Sequence, residues 1–128
     1  MSLNISSIID RHTKDVHLTR QSCDSFDDFI NNRINEIISE LQPIDCTYFG
    51  PTETREISIR ILNASVKQPV MLEYDGTSRP IYPNECRLRD LTYGAPMYSD
   101  IEVVRKGKSD ILKDVYMGRI PVMIYSSL

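Results

Sequence analysis

The stretch CDSFDDFINNRINEIISELQPIDCTYFGPTETREISIRIL, residues 23–62, changes its apolar period partway along, and that change decides the fold. In the first half Phe26, Phe29, Ile30, Ile34, Ile37, Ile38 and Leu41 recur at intervals of three and four, which lines them along one stripe of an α-helix. Asn31, Asn32, Asn35 and Glu36 fall on the other side, so this helix lies on a body rather than inside one. Ser25 and Asp28 fit the Ser-x-x-acid pattern of a helix start, and Asp27 and Asp28 place negative charge where the macrodipole favours it. Pro43 supplies the stop, so the spacing predicts a helix over about 25–41. From Glu53 the period drops to two: Ile57, Ile59 and Ile61 alternate with Ser58 and Arg60, the pattern of a half-buried strand.

Working outward, PVMLEYDGTSRPIY (69–82) reads as strand, Asp75-Gly76 turn, strand. PNECRLRDL (83–91) makes a short helix with Pro83 at its first position. MYSDIEVV (97–104) alternates as a strand, and RKGKSD (105–110) is a charged turn around Gly107. ILKDVYMGRIPVMIY (111–125) reads as a strand, a break at Gly118 and a further strand. Upstream, residues 1–16 form a lead-in or one short helix, with Ile8-Ile9 as their apolar pair. One helix packed on about six mainly antiparallel strands is an α+β domain. RIPVMIYSSL stays apolar almost to the C-terminus, an edge that invites pairing, so the domain is expected to be incomplete and to continue in further protein.

Of the 128 residues, 41% are hydrophobic and 26% charged, enough for one folded domain with a core. A net charge of −3 argues against affinity for nucleic acid through bulk positive charge, though not against a local basic face. Cys23, Cys46 and Cys86 are odd in number and far apart, and His12 and His17 lie near the N-terminus, so no zinc site is expected. Reduced thiols in an intracellular protein are the simplest reading. No signal peptide is read in MSLNISSIIDRH, and no apolar run approaches the ~20 residues that span a bilayer.

The densest chemistry lies in YPNECRLRDLTYGAP (82–96). Glu85 as a general base with Arg87 and Arg89 as an anion clamp is one reading, and an ion-pair brace between the short helix and the next strand is the other. Cys86 beside Arg87 as a nucleophile is a third. Asp100, Glu102, Asp110 and Asp114 lack the spacing of a Mg²⁺ cluster and read as solvated strand charges. Arg105, Lys106, Lys108 and Lys113 make a basic turn and strand, either a solvated hairpin tip or a phosphate contact.

Three stretches, in this order, resemble a known family: HLTRQSCDSFDDFI (17–30), YPNECRLRDLTYGAPMYSDI (82–101) and VYMGRIPVMIYSS (115–127). They are similar to the start of the second-largest subunit of multisubunit DNA-directed RNA polymerase, in its archaeal, eukaryotic and large-DNA-virus form. Cys23 stands where that family usually has an aliphatic residue, Cys86 where it has Ala, Asp90 where it has Asn and Tyr125 where it has Arg, the mark of a divergent member. The resemblance implies that residues 17–128 are the first half of the protrusion, a wall of the cleft that holds DNA and the RNA–DNA hybrid. It implies as partners the remaining part of the subunit, other polymerase subunits, the DNA template and initiation factors, with no membrane. The complex is a nucleotidyltransferase, but no catalytic residue carries over. Mg²⁺ and Zn²⁺ are expected elsewhere in the polymerase, and this chain alone is expected to be inactive. In this frame Glu85, Arg87, Arg89 and Tyr93 form a brace or a nucleic-acid contact, with Leu88 and Leu91 pointing inward, and Arg105, Lys106 and Lys108 are candidate phosphate contacts. The alternative is a free-standing protein–protein interaction module whose partner surface is the helix from Ser25 to Leu41.

Overall fold

A computed structural model describes residues 5–15, 18–51 and 53–128. The lead-in contains helix α1 (Ile5–Asp15), and the boundary drawn at residue 17 lies outside the described residues. Helix α2 (Arg20–Asp28), a π-helical turn (Phe29–Arg33) and helix α3 (Ile34–Glu40) follow one another without a break. The Ile34 N–H reaches back to the Phe29 carbonyl, the five-residue step of a π turn. The helical run therefore starts at Arg20, five residues before the capping pattern suggested. Ser25 and Asp28 sit inside it, and Asp28 instead accepts a 2.8 Å bond from Asn32 and pairs with Arg33 at 3.4 Å. A tertiary contact accounts for the earlier start: Cys23 is buried, with its Sγ 3.7 Å from the Ile124 carbonyl. Leu41 turns to extended backbone just before Pro43.

The main sheet is antiparallel and holds β1 (Ile44–Phe49), β2 (Thr54–Val66), β5 (Gly94–Arg105) and β6 (Lys108–Pro121), side by side in that order. Between them in sequence lie a small hairpin, β3 (Val70–Leu72) and β4 (Ser78–Pro80), and helix α4 (Pro83–Leu88) with proline in its first turn. The α+β class holds, with strands placed differently from the reading above. β1 was not anticipated, because its six residues are all exposed and carry no inward-facing apolar series. Gly118 does not break β6. At φ +146° it sits beside a bulge where the pairing shifts from Met97–Gly118 to Tyr98–Tyr116. Residues 122–128 are not a strand. Beyond Pro121 the Val122 N–H donates to the Tyr93 carbonyl at 2.9 Å, and Asp27 of α2 accepts the Ser127 N–H and hydroxyl, both at 2.9 Å. These bonds fold the terminal turn against α2.

The core lies where the π turn and α3 cross β2: Ile30, Ile34 and Ala64 are buried, and Phe26, Ile38, Val66, Met97 and Ile120 pack around them. A bulge between Ile61 and Asn63 shifts the β2 register there, and the Ala64 N–H donates to Asn35 Oδ1 at 2.9 Å. Asn35 thus turns toward the sheet and does not lie on the outer side of the helix as expected. Farther along, Ile59, Val103 and Asp110 share one sheet face with Ile61, Ile101 and Leu112, while Arg60, Glu102 and Ile111 share the other. Among the described residues no helix is long and apolar enough to cross a membrane.

Candidate functional site: a charged lattice and a basic hairpin

The β3–β4 turn is built by its sequence. Asp75 Oδ1 accepts the Thr77 N–H at 2.9 Å and its hydroxyl at 2.6 Å, which holds the Asp75 carboxyl below the usual carboxylate range. Gly76 takes φ +84°, a conformation that costs glycine little. The turn brings Glu73 beside Arg79, with Arg79 Nε 2.7 Å from Glu73 Oε1. Helix α4 then presents Glu85 to the same guanidinium, which donates from one terminal nitrogen to Oε2 at 2.8 Å and from the other to Oε1. One turn later Arg89 Nε lies 3.3 Å from Glu85 Oε1, and its terminal nitrogen is 3.9 Å from Glu73 and 3.3 Å from Met71 Sδ. Two arginines and two glutamates alternate in a half-exposed lattice. Hydrogen bonds from Arg79 hold the Glu85 carboxyl below its ordinary value against the opposing effect of burial, with the charges of Arg79 and Arg89 adding to the shift. The same bonds to Glu85, then those to Glu73, raise the Arg79 pKa.

The expected brace residues are thus only partly brought together. Glu85 and Arg89 join the lattice, but Arg87 does not: it lines a separate groove with Thr19, Cys23, Asn84 and Ile124. Tyr93 does not join it either: its carbonyl accepts the Val122 N–H at 2.9 Å, and burial pushes its hydroxyl pKa up. Leu88 is 89% exposed and Leu91 41%, so neither points inward as expected. Helix periodicity explains Leu88: the buried side of α4 is Cys86, 3% exposed, and two residues of helix turn the chain about 200°. Asp90 adopts φ +55°, and the Leu91 N–H closes the helix onto the Cys86 carbonyl at 2.8 Å.

Three residues that hold this region went unremarked in the sequence. Glu73 and Arg79 flank the Asp-Gly turn, which was the available signal. Arg119 donates to the Val70 carbonyl at 2.8 Å and the Gly94 carbonyl at 3.1 Å, fastening the small hairpin to β5. A carboxylate already engaged by two guanidiniums is a poor general base, and a guanidinium facing two carboxylates has little attraction left for phosphate. Cys86 is shielded from substrate by its burial.

The β5–β6 turn is a two-residue hairpin with Lys106 at φ +47° and Gly107 at φ +76°, the type I′ geometry. Arg105 faces Lys108 across it. Lys106 Nζ is 3.3 Å from Glu53, whereas Arg105 and Lys108 are exposed with no carboxylate partner among the described residues. Three nearby acids are occupied. Asp100 accepts from the Asn63 amide at 3.2 Å and the Asp114 N–H at 3.0 Å, Glu102 accepts from the Ser109 hydroxyl at 2.7 Å, and Asp114 pairs with Lys67 at 3.3 Å. Among the described residues no group of three or more His, Cys, Asp or Glu is placed to hold a metal ion.

The family described as RNA polymerase beta subunit matches residues 17–128. The chain is 34% identical to DNA-directed RNA polymerase subunit Rpo2 of Saccharolobus shibatae, an alignment covering 100% of this chain and 11% of that protein. It is 33% identical to subunit Rpo2N of Methanocaldococcus jannaschii, over 94% of this chain and 24% of that protein. With DNA-directed RNA polymerase II subunit 2 of Arabidopsis thaliana the identity is 32%, over 94% of this chain and 12% of that protein. The chain therefore spans about a tenth to a quarter of the length of these curated relatives.

Proposed function

The chain belongs to the RNA polymerase beta subunit family, and from that membership we propose that it works as a structural segment of the second-largest subunit of a DNA-directed RNA polymerase. Residues 17–128 form the first half of a protrusion-like domain that makes one wall of the cleft for DNA and the RNA–DNA hybrid. The chain supplies no catalytic residue to nucleotidyl transfer, and its partners are the rest of the subunit, the other polymerase subunits and initiation factors, inside the cell. The observation that carries the non-catalytic reading is the lattice of Glu73, Arg79, Glu85 and Arg89, in which each charge faces an opposite one. Such an arrangement fixes α4 to the hairpin and leaves no group poised for acid–base work. Mg²⁺ and Zn²⁺ are held elsewhere in the polymerase. Arg105 and Lys108, exposed at the far end of the sheet, would touch backbone phosphate and so position nucleic acid without reading its sequence, with Lys106 joining them once its pair with Glu53 opens.

The test is gentle purification of the native protein followed by mass spectrometry. Large polymerase subunits in the same particle are the expected result. A lone 14.8 kDa monomer would overturn the proposal and leave the interaction module in its place.

A further inference from the structure

The main sheet has two edges, and they are finished differently. On the β6 side, Lys108 and Lys113 put charge along the strand, and its register shifts twice against β5. Asp114 at φ +52° and Gly118 at φ +146° bend it, and Pro121 closes it. Lysines, bulges and proline are the usual means by which a sheet edge is kept from pairing with another chain. On the β1 side none of them is present. IDCTYF, residues 44–49, holds no proline, no basic residue and no positive φ, and it pairs with β2 in unbroken register. All six residues are exposed, and the backbone groups that point away from β2 have no neighbouring strand among the described residues.

Register assigns a chemistry to each face of that edge. Ile44 and Cys46 lie opposite Ile59 and Ile57, so one face is apolar. Asp45 and Thr47 lie opposite Ser58 and Glu56, so the other is polar and acidic. A groove of about 660 Å³ runs beside the acidic face, lined by Asp45, Thr47, Glu56 and Ser58. Arg55 and Lys106 both turn to Glu53, at 3.6 Å and 3.3 Å, and Asp45 and Glu56 have no basic partner among the described residues. A strand added beside β1 would lie about 4.8 Å from it. On the first face its side chains would meet Ile44 and Cys46. On the second they would meet Asp45 directly and Glu56 across Thr47, a reach that suits the long side chain of lysine or arginine. In such strand addition the main chain supplies binding and the alternate side chains supply selectivity.

We propose that β1 is a docking edge for an extended segment of a partner protein in which lysine or arginine alternates with apolar residues. The added strand extends the sheet, sets its apolar row beside Ile44 and Cys46, and neutralises Asp45 and Glu56 with its basic row. The inference uses only the edge of the sheet and stands apart from the polymerase reading.

The experiment uses the native particle that contains the chain, with a synthetic peptide that alternates lysine and valine over the length of β1. Hydrogen exchange read by mass spectrometry locates the peptide, and fluorescence anisotropy measures its affinity. The amides of 44–49 that point away from β2 should exchange quickly before the peptide is added and slowly once it is bound. A glutamate–valine peptide should not bind, nor should the lysine–valine peptide with its amides N-methylated, which lacks donors for the edge. Asp45→Asn with Glu56→Gln should weaken binding by up to about fivefold for each carboxylate that meets a lysine. No binding, protection elsewhere, equal binding of the N-methylated peptide, or an affinity unmoved by the double substitution would overturn the inference. Slow exchange at 44–49 before the peptide is added would overturn it as well, because the edge would already be covered inside the particle. Chains joined through the exposed Cys46 on mild oxidation would give the edge to a second copy, and the inference would fail in the same way. If the particle holds no polymerase subunit, the polymerase reading fails, and the peptide still decides this inference.

Discussion

Glu85 gives the molecule a pH dependence whose sign can be worked out. Its carboxyl is held below the reference value of 4.5, chiefly by hydrogen bonds from Arg79. A group whose pKa is lowered on folding adds stability that is present above its unfolded pKa and lost as pH falls through its folded pKa. Stability should therefore decline below about pH 4.5 more steeply in the natural protein than in Glu85→Gln, as read by denaturant titration across pH. Asp90 offers a second test. It is a non-glycine residue in the left-handed region just past the end of α4, where a negative charge opposes the helix dipole. Asp90→Asn keeps the local backbone preference and removes the charge, so melting should show a gain of about 0.5 kcal/mol. The resemblance carried the first hint of this, since Asn is usual at that position. The choice of Arg79 over Arg87 as the partner of Glu85 could not be read in the same way. Arg79 in β4 reaches Glu85 in α4, six residues on, because the short connection between them turns the helix back toward the hairpin, and sequence spacing does not encode that fold-back.

At the level of elements, the fold depends on how the helix meets the sheet. The Asn35 side chain accepts the N–H that the β2 bulge turns away from the ladder at Ala64. Asn35→Ala would leave that donor half-buried without its partner, and a loss of about 1–2 kcal/mol is expected in denaturant unfolding. An unchanged midpoint would mean that water replaces the amide without cost. The helix and the long strands were legible because each carries a regular apolar period: three and four along 26–41, two along 55–62 and 97–104. What escaped was set by contacts between distant residues. The helix begins early because Cys23 packs under the terminal turn, and β1 exists because it pairs with β2, not because of its own pattern. The apolar run at 119–125 reads as strand, yet Pro121 and the bond to Tyr93 take it off the sheet.

For the whole molecule, an acidic chain of net charge −3 sets two basic groups without a carboxylate partner among the described residues, Arg105 and Lys108, side by side at the β5–β6 hairpin. If Arg105 and Lys108 each neutralise one DNA phosphate, each adds about 0.9 to the slope of log affinity against log salt. The double substitution Arg105→Ser with Lys108→Ser, made in the assembled polymerase, should lower that slope by about 1.8, equally for unrelated DNA sequences. A slope that does not move would make the hairpin a solvated tip. This end of the molecule was legible as a basic turn from RKGKSD, but whether its charges were paired was not, because Glu53 reaches Lys106 from a separate strand connection.

The π turn at Phe29–Arg33 bears on inheritance as well as packing. A wide turn holds one residue more than an α-turn of the same helix, so a gene that loses a single codon there still encodes a continuous helix with both flanks in phase. A loss within α2 instead rotates everything beyond it by about 100° and drags Ile34 off the sheet. Length differences among relatives in this helix should therefore collect at those five positions.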